Sequence, residues 1–228
     1  MKRYLTLLGL GVLATSVGWS TPVCTSGSLA DYIALGAGGC TIGDKLFSSF
    51  QYLASAGGGA VAPTSSEVSV APFLGFGHPS IIFASGGWTA FQGQFVNSSI
   101  GFKVTVLDPT QDITSVNLGM AGGSIGTNTG AIISETVLYK GGSASTGVFN
   151  IQGVGPPFGT TGPLPAGLKE VIALKDILVT AFSAPEPLAF AKISIVLQTF
   201  VQTTAIPEPA TMAGVGAALI GLYLLRRR

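Results

Sequence analysis

The residues able to carry chemistry in this chain are few and scattered. His78 is the only histidine, and its context Gly75-Phe76-Gly77-His78-Pro79 reads as a turn, which places it at the surface or at a strand end. Gly122-Gly123-Ser124-Ile125-Gly126 spells the nucleophile-elbow pattern. That elbow needs a strand-to-helix turn and a histidine downstream of the serine, whereas here the histidine lies upstream and no helix is predicted. Gly153-Val154-Gly155 lacks the third glycine of a dinucleotide-binding loop and is followed by two prolines. Asp108, Asp112, Glu135, Glu170 and Asp176 could supply the paired carboxylates of a glycosidase, but nothing in their spacing selects a pair. Asp108 and Asp112 could offer hard oxygens to calcium, yet no EF-hand or repeat pattern surrounds them. No catalytic residue, metal ligand set or cofactor is therefore assigned, and the expectation is a protein that is not an enzyme. Trp88, Phe91 and Phe95 lie in a strand-like stretch. Core packing is the favoured reading for all three, with Trp88 the candidate contact to a sugar ring if that face is exposed.

Cys24 and Cys40 are the only cysteines. Two ligands with no nearby histidine make a poor zinc site, since structural zinc takes four. A free catalytic thiol is a further alternative. In an exported chain an even pair favours a disulfide, which would close a loop of about 17 residues and contribute about 3 kcal/mol. Inside that loop Leu29, Tyr32 and Ile33 fall at i, i+3 and i+4, the spacing of a short helix.

The elements that must position these residues divide into two ends and a body. Met1-Lys2-Arg3, the apolar run from Tyr4 to Val17, and Gly18-Trp19-Ser20 have the charge, length and small-residue pattern of a secretory signal peptide cut before Thr21. A buried helix and an uncleaved anchor are the alternatives. At the other end Ile206-Pro207-Glu208-Pro209 precedes an apolar run from Ala210 to Leu225 and then Arg226-Arg227-Arg228. As a helix that run would span about 24 Å, short of the roughly 30 Å hydrocarbon core, and snorkelling side chains or local thinning would have to make up the rest. The arginines would stay cytoplasmic by the positive-inside rule, leaving the body outside. Pro207 and Pro209 break any helix continuing from upstream.

Pro207-Glu208-Pro209, a Gly/Ala/Leu-rich segment and a terminal arginine cluster resemble the PEP-CTERM sorting tail of bacterial exported proteins. The resemblance implies recognition by an exosortase, a membrane-embedded cysteine protease that removes the tail and passes the protein toward the cell surface. It assigns Pro207, Glu208 and Pro209 to recognition and Arg226, Arg227 and Arg228 to the stop. Pro185-Glu186-Pro187 spells the same tripeptide, but Lys192 interrupts the segment behind it and no arginines close it, so it reads as an ordinary turn. The stretch from Cys24 to Phe50 also resembles an N-terminal block of many PEP-CTERM proteins of unassigned role, which implies a shared scaffold and no particular reaction.

The body is sparsely charged. Charged residues make up 9% of the chain, against roughly 25% in an ordinary soluble domain. Five of the eleven basic residues sit in the terminal segments, so six Lys face nine Asp and Glu between Thr21 and Ile206, a net charge of −3. A body of that sign offers no footprint for nucleic acid, whose binding rests on Lys and Arg against phosphates. With 47% hydrophobic residues the chain is not disordered either. Ile100, Phe102, Val104 and Val106 alternate with Gly101, Lys103 and Thr105, and Ile193, Ile195, Leu197, Thr199 and Val201 repeat the pattern, as in half-buried strands. Weaker strands are predicted at 46–53, 67–72, 81–84, 91–96, 114–121, 132–139, 147–152, 170–173 and 177–182, with surface loops at 57–59 and 153–167.

The reading that results is all-β: an antiparallel β-sandwich, jelly-roll-like or Ig-like, flanked by an N-terminal signal helix and a C-terminal transmembrane helix. Its divisions are a signal peptide (1–20), the sandwich (21–204) and the sorting tail (205–228). The expected function is that of an exported, non-enzymatic cell-surface or matrix protein, cut by an exosortase and associated with exopolysaccharide. The alternatives are a carbohydrate-binding module and then an exported hydrolase. Expected partners are the exosortase, the membrane through a transient C-terminal anchor, and exopolysaccharide, with no nucleic acid. The expected location is the inner membrane before processing and the cell surface or medium afterwards.

Overall fold

Alternation of apolar and polar side chains dictates where this backbone pairs. Ile100, Phe102, Val104 and Val106 are buried while Lys103 and Thr105 remain partly exposed, so one face of their strand enters a core. The computed structural model describes residues 21–75, 77–182 and 189–204. In chain order its elements are β1 (Gly27–Ser28), α1 (Leu29–Ala34), β2 (Cys40–Ile42), β3 (Lys45–Gly57), a 3₁₀ turn (Ser65–Glu67), β4 (Ser69–Gly75), β5 (His78–Ala84), β6 (Thr89–Phe91), β7 (Gln94–Val106), β8 (Gln111–Ile125), β9 (Thr129–Tyr139), β10 (Gly142–Ile151), β11 (Phe158–Thr160), β12 (Glu170–Ala181) and β13 (Phe190–Thr204).

All strand pairings between these elements are antiparallel. They build a six-stranded sheet in the order β10-β9-β12-β7-β3-β2 and a seven-stranded sheet in the order β1-β4-β5-β13-β8-β11, with β6 also on β13. The inner faces of the two sheets meet in a core centred on Phe102. Its ring lies 5.0 Å from Phe50 and 6.1 Å from Phe47 on its own sheet, and 5.8 Å from Phe83 and 6.1 Å from Phe200 on the other. Burying each such ring contributes about 1.5–3 kcal/mol.

Two local features fix the start of the domain. Ser28 caps α1 by accepting from the Asp31 amide, while Asp31 accepts from the Ser28 amide in return, a reciprocal capping box. The Ser28 hydroxyl and amide both donate to the Asp31 carboxyl and hold it below its ordinary pKa. Gly39 turns with a φ of +59°, and a Cβ there would lie 2.1 Å from the Phe47 carbonyl oxygen, so only glycine admits the chain. That turn delivers Cys40 to Cys24, and the two are joined by a disulfide with Cα atoms 4.9 Å apart.

The two-sheet sandwich matches the sequence reading, but its flanking helices need correction. Besides the 3₁₀ turn, α1 is the only helix among the described residues, and none of these is long and apolar enough to cross a membrane. The signal helix and the C-terminal transmembrane helix fall at 1–20 and 205–228, outside the described residues. The architecture is therefore a two-sheet antiparallel sandwich with one short helix. The transmembrane helix, the membrane as a partner and the inner-membrane-anchored stage drawn from it are left without a structural basis.

Candidate functional site

The residues singled out for chemistry do not converge. His78 opens β5, half-buried, with its Nδ1 lacking a partner. Ser124 lies within β8 and not at an elbow. Its hydroxyl donates to Asn150 Oδ1 at 2.9 Å and its amide donates to the same oxygen at 3.0 Å, which ties β8 to β10. The five carboxylates go to five different places. Asp108 closes a turn by accepting from the Thr110 amide and hydroxyl, at 2.8 and 2.7 Å. Asp176 accepts from Ser99 at 2.8 Å, and Glu170 pairs with Lys103 at 3.2 Å, both on the outer face of the six-stranded sheet. Glu135 lies on the inner face, 1% exposed.

Asp112 pairs with Lys169 at 2.7 Å, and the same ammonium donates to the Pro109 and Gln111 carbonyl oxygens. A lysine thus occupies the place where a calcium ion would have to sit. Among the described residues no group of three or more His, Cys, Asp and Glu side chains could hold a metal.

Trp88 follows the favoured core reading, and only its alternative as a sugar contact needs correction. It is 0% exposed, and its indole N–H donates to Ser98 Oγ at 3.1 Å. Ser98 in turn meets the Tyr52 hydroxyl, which donates to the Pro63 carbonyl at 2.8 Å. Burial and a satisfied N–H make Trp88 a core residue that cannot stack on a sugar. Of its neighbours, Phe91 is exposed but leans on Phe190, with centroids 5.5 Å apart, and the ring of Phe95 lies 6.3 Å from that of Phe182.

One surface shaped to take a ligand lies on the outer face of the seven-stranded sheet, where β11 pairs with β8. The register sets two parallel rows across β11, β8 and β13. Phe158, Gly119 and Leu197 form one row, and Thr160, Asn117 and Thr199 form the next. Phe158 is 70% exposed and its ring lies over Gly119, where a Cβ would come within 3.0 Å of it. These six residues line a shallow cleft of about 310 Å³. The polar row ends at Ser80, which is fully buried and whose hydroxyl is 2.9 Å from that of Thr199. An apolar ring beside a line of hydroxyl and amide groups can hold a ligand that is apolar on one face and hydroxylated at its rim. By composition this stretch reads as a surface loop. The one clue it offers is Phe158 itself, a large aromatic in a run, 155–163, otherwise made of glycine, proline and threonine.

The sorting residues Pro207, Glu208, Pro209 and Arg226 to Arg228, and the internal Pro185-Glu186-Pro187, fall outside the described residues. Residues 205–228 match the PEP-CTERM protein-sorting motif, so the chain carries that motif at its C-terminal end. No curated protein matches the chain. Among solved structures, one similar chain is TmCBM61 in complex with β-1,4-galactotriose, at 10% identity and a TM-score of 0.32 over 66% of this chain and 88% of that one. The enzymatically active domain of bacteriophage CBA120 tailspike protein 4 is similar at 15% identity and a TM-score of 0.24, over 65% of this chain and 19% of that one. A third similarity, at 11% identity and a TM-score of 0.20, covers 81% of this chain and 60% of a structure described among carbohydrate-binding modules of the β-sandwich superfamily.

Proposed function

We propose that this chain is an exported, non-catalytic carbohydrate-binding protein, and that its ligand lies along the Phe158 cleft. The observation that carries this reading is the exposed Phe158 ring beside a hydroxyl and amide row two register positions away on the same face of the sheet. The C–H face of a pyranose would cover Phe158 and Leu197, and its equatorial hydroxyls would meet Thr160, Asn117 and Thr199. A shallow, open cleft of this kind suits an extended polymer better than an enclosed small molecule.

The PEP-CTERM motif supports export and implies an exosortase as processing partner, recognising Pro207-Glu208-Pro209 in a tail that ends in Arg226 to Arg228. Residues 1–20 are then removed as a signal peptide, and residues 21–204 are the mature body. An exported protein that holds exopolysaccharide at the cell surface or in the surrounding matrix fits both halves of this reading.

Binding of the exported protein to a panel of soluble polysaccharides tests the cleft. Phe158→Ala should weaken binding roughly tenfold, the effect of losing a contact of about 1.4 kcal/mol, while Phe91→Ala should leave it unchanged. A wild-type protein that retains nothing on the panel, or a Phe158→Ala variant that binds as wild type, would refute the assignment. Processing is tested separately by intact mass in a host that has an exosortase, where the mature chain should end near position 207. Retention of Arg226 to Arg228 there would rule processing out.

A further inference from the structure

The inner faces of the sandwich hold a cluster that the proposed function does not use. Lys175 on β12 and Glu135 on β9 are direct cross-strand partners in the six-stranded sheet, and Gln198 reaches them from β13 in the other sheet. All three are buried, with 2%, 1% and 0% exposure in that order. Glu135 Oε1 joins them: the Lys175 ammonium nitrogen lies 3.3 Å from it, and the Gln198 amide nitrogen donates to the same oxygen. The Phe102 ring covers Lys175 Nζ at 4.5 Å and Phe83 stands at 5.6 Å. Glu135 Oε2 and Gln198 Oε1 have no hydrogen-bond partner.

An amine, a carboxyl and a carboxamide held together in a dry core can react. We propose that Lys175 and Gln198 are joined in the mature protein by an intramolecular isopeptide bond, formed with Glu135 as the proton shuttle. The Lys175 Nζ lone pair attacks Cδ of Gln198, and the Glu135 carboxyl gives its proton to the carboxamide as the tetrahedral intermediate forms. Glu135 takes back a proton from the attacking nitrogen, the Cδ–Nε2 bond breaks, and ammonia leaves. The amine loses one hydrogen, the carboxamide loses its NH₂ group, and Glu135 ends as it began, so no oxidant or further reactant enters.

Two features of the site favour this course. Burial pushes the Lys175 pKa down and the Glu135 pKa up, both in the direction of the free amine and the protonated acid that the reaction needs. Fixed proximity in a packed core replaces the encounter that amide exchange requires in solution. The product would link an interior strand of each sheet, and unlike a disulfide it would not depend on the redox state outside the cell. Lys45 meets Gln202 and Asp44 in a related way, but the Asp44 side chain is 20% exposed, so that cluster lacks a buried carboxyl.

Tryptic mapping of the denatured, reduced full chain reads the bond directly. The expected product is a peptide spanning 170–192, uncut after Lys175 and linked to the peptide that begins at Ile193, with a combined mass one ammonia below the sum of the two. Cleavage after Lys175 into separate 170–175 and 176–192 peptides would overturn the proposal. So would loss of one water with Lys175 joined to the Glu135 peptide. Glu135→Gln keeps the shape of the side chain and removes its acid. This variant should fold, by its far-ultraviolet circular dichroism, and contain none of the linked peptide. A folded Glu135→Gln protein that still carries the link would overturn the role given to Glu135.

Discussion

One sheet carries two lysine–glutamate pairs of nearly equal length, one on each face. Lys103 and Glu170 meet at 3.2 Å on the outer face with side chains 36% and 53% exposed, whereas Lys175 and Glu135 meet at 3.3 Å on the inner face with neither side chain exposed. Distance alone would rank them as equals. Water separates them. The outer pair trades hydration for a screened attraction and ends close to even. The inner pair gives up its hydration entirely, so burial drives Lys175 and Glu135 toward their uncharged forms and the pair becomes a reactive cluster. In this protein the face of the sheet determines what a lysine–glutamate pair is for.

The largest expected effect breaks the inner pair. Lys175→Met removes the link to Gln198 and leaves the uncharged Glu135 carboxyl buried without its donor, and should cost about 3–5 kcal/mol in denaturant unfolding. A cost below about 1 kcal/mol would place the inner pair in the same class as the outer one and dissolve the contrast. The disulfide supplies an intermediate reference that owes nothing to charge. Cys24→Ser with Cys40→Ser should cost about 3 kcal/mol, and that loss should not change with added salt. A salt-dependent loss would mean that the Cys24–Cys40 segment is held by electrostatics as well.

The same contrast explains what the sequence reveals and what it conceals. The sandwich is legible because most inner-face positions are apolar and most outer-face positions are not, so strands such as β7 announce themselves through Ile100, Phe102, Val104 and Val106. Strand β12 reads as two pieces, 170–173 and 177–182, because Lys175 stands where the alternation calls for an apolar residue. A charged residue at an inward position is invisible to a periodicity that equates polar with exposed, and the structure alone shows Glu135 and Gln198 waiting for it. Trp88 follows its core reading. What the sequence does not name is the Ser98 partner, ten residues away, that satisfies the indole and lets the ring bury. Phe158 is hidden in a Pro/Gly-rich stretch because a three-residue edge strand is too short to show a period. The sorting motif is legible outright, since it is a property of local sequence and requires no fold.

Asp112, on the other sheet and mostly buried, sharpens the comparison through pH. The hydrogen bond from Lys169 holds its carboxyl below the ordinary value of 3.8. The unfolded chain therefore binds the proton more readily, and the stability Asp112 contributes is present above about pH 4 and lost as pH falls through its lower folded value. Glu135 runs the other way. Its pKa is raised above 4.5, so its contribution is greatest in acid and fades as pH rises through the folded value. Asp112→Asn should accordingly flatten the acid limb of the unfolding curve without altering the limb above about pH 5. An acid limb of unchanged slope in that variant would show that Asp112 is not held below its ordinary value.

The smallest effect belongs to the outer pair. Removing the Lys103 ammonium leaves Glu170 53% exposed, with water to replace the lost partner and the Thr105 hydroxyl 3.4 Å away. Lys103→Ala should therefore cost no more than about 1 kcal/mol at low salt, and the difference from wild type should shrink as ionic strength shortens the screening length below about 10 Å. A penalty near that of Lys175→Met, or one that persists in molar salt, would mean that the outer pair is desolvated by something bound across it. The outer face of the six-stranded sheet would then have to be treated as a covered interface and no longer as the solvated reference for the core.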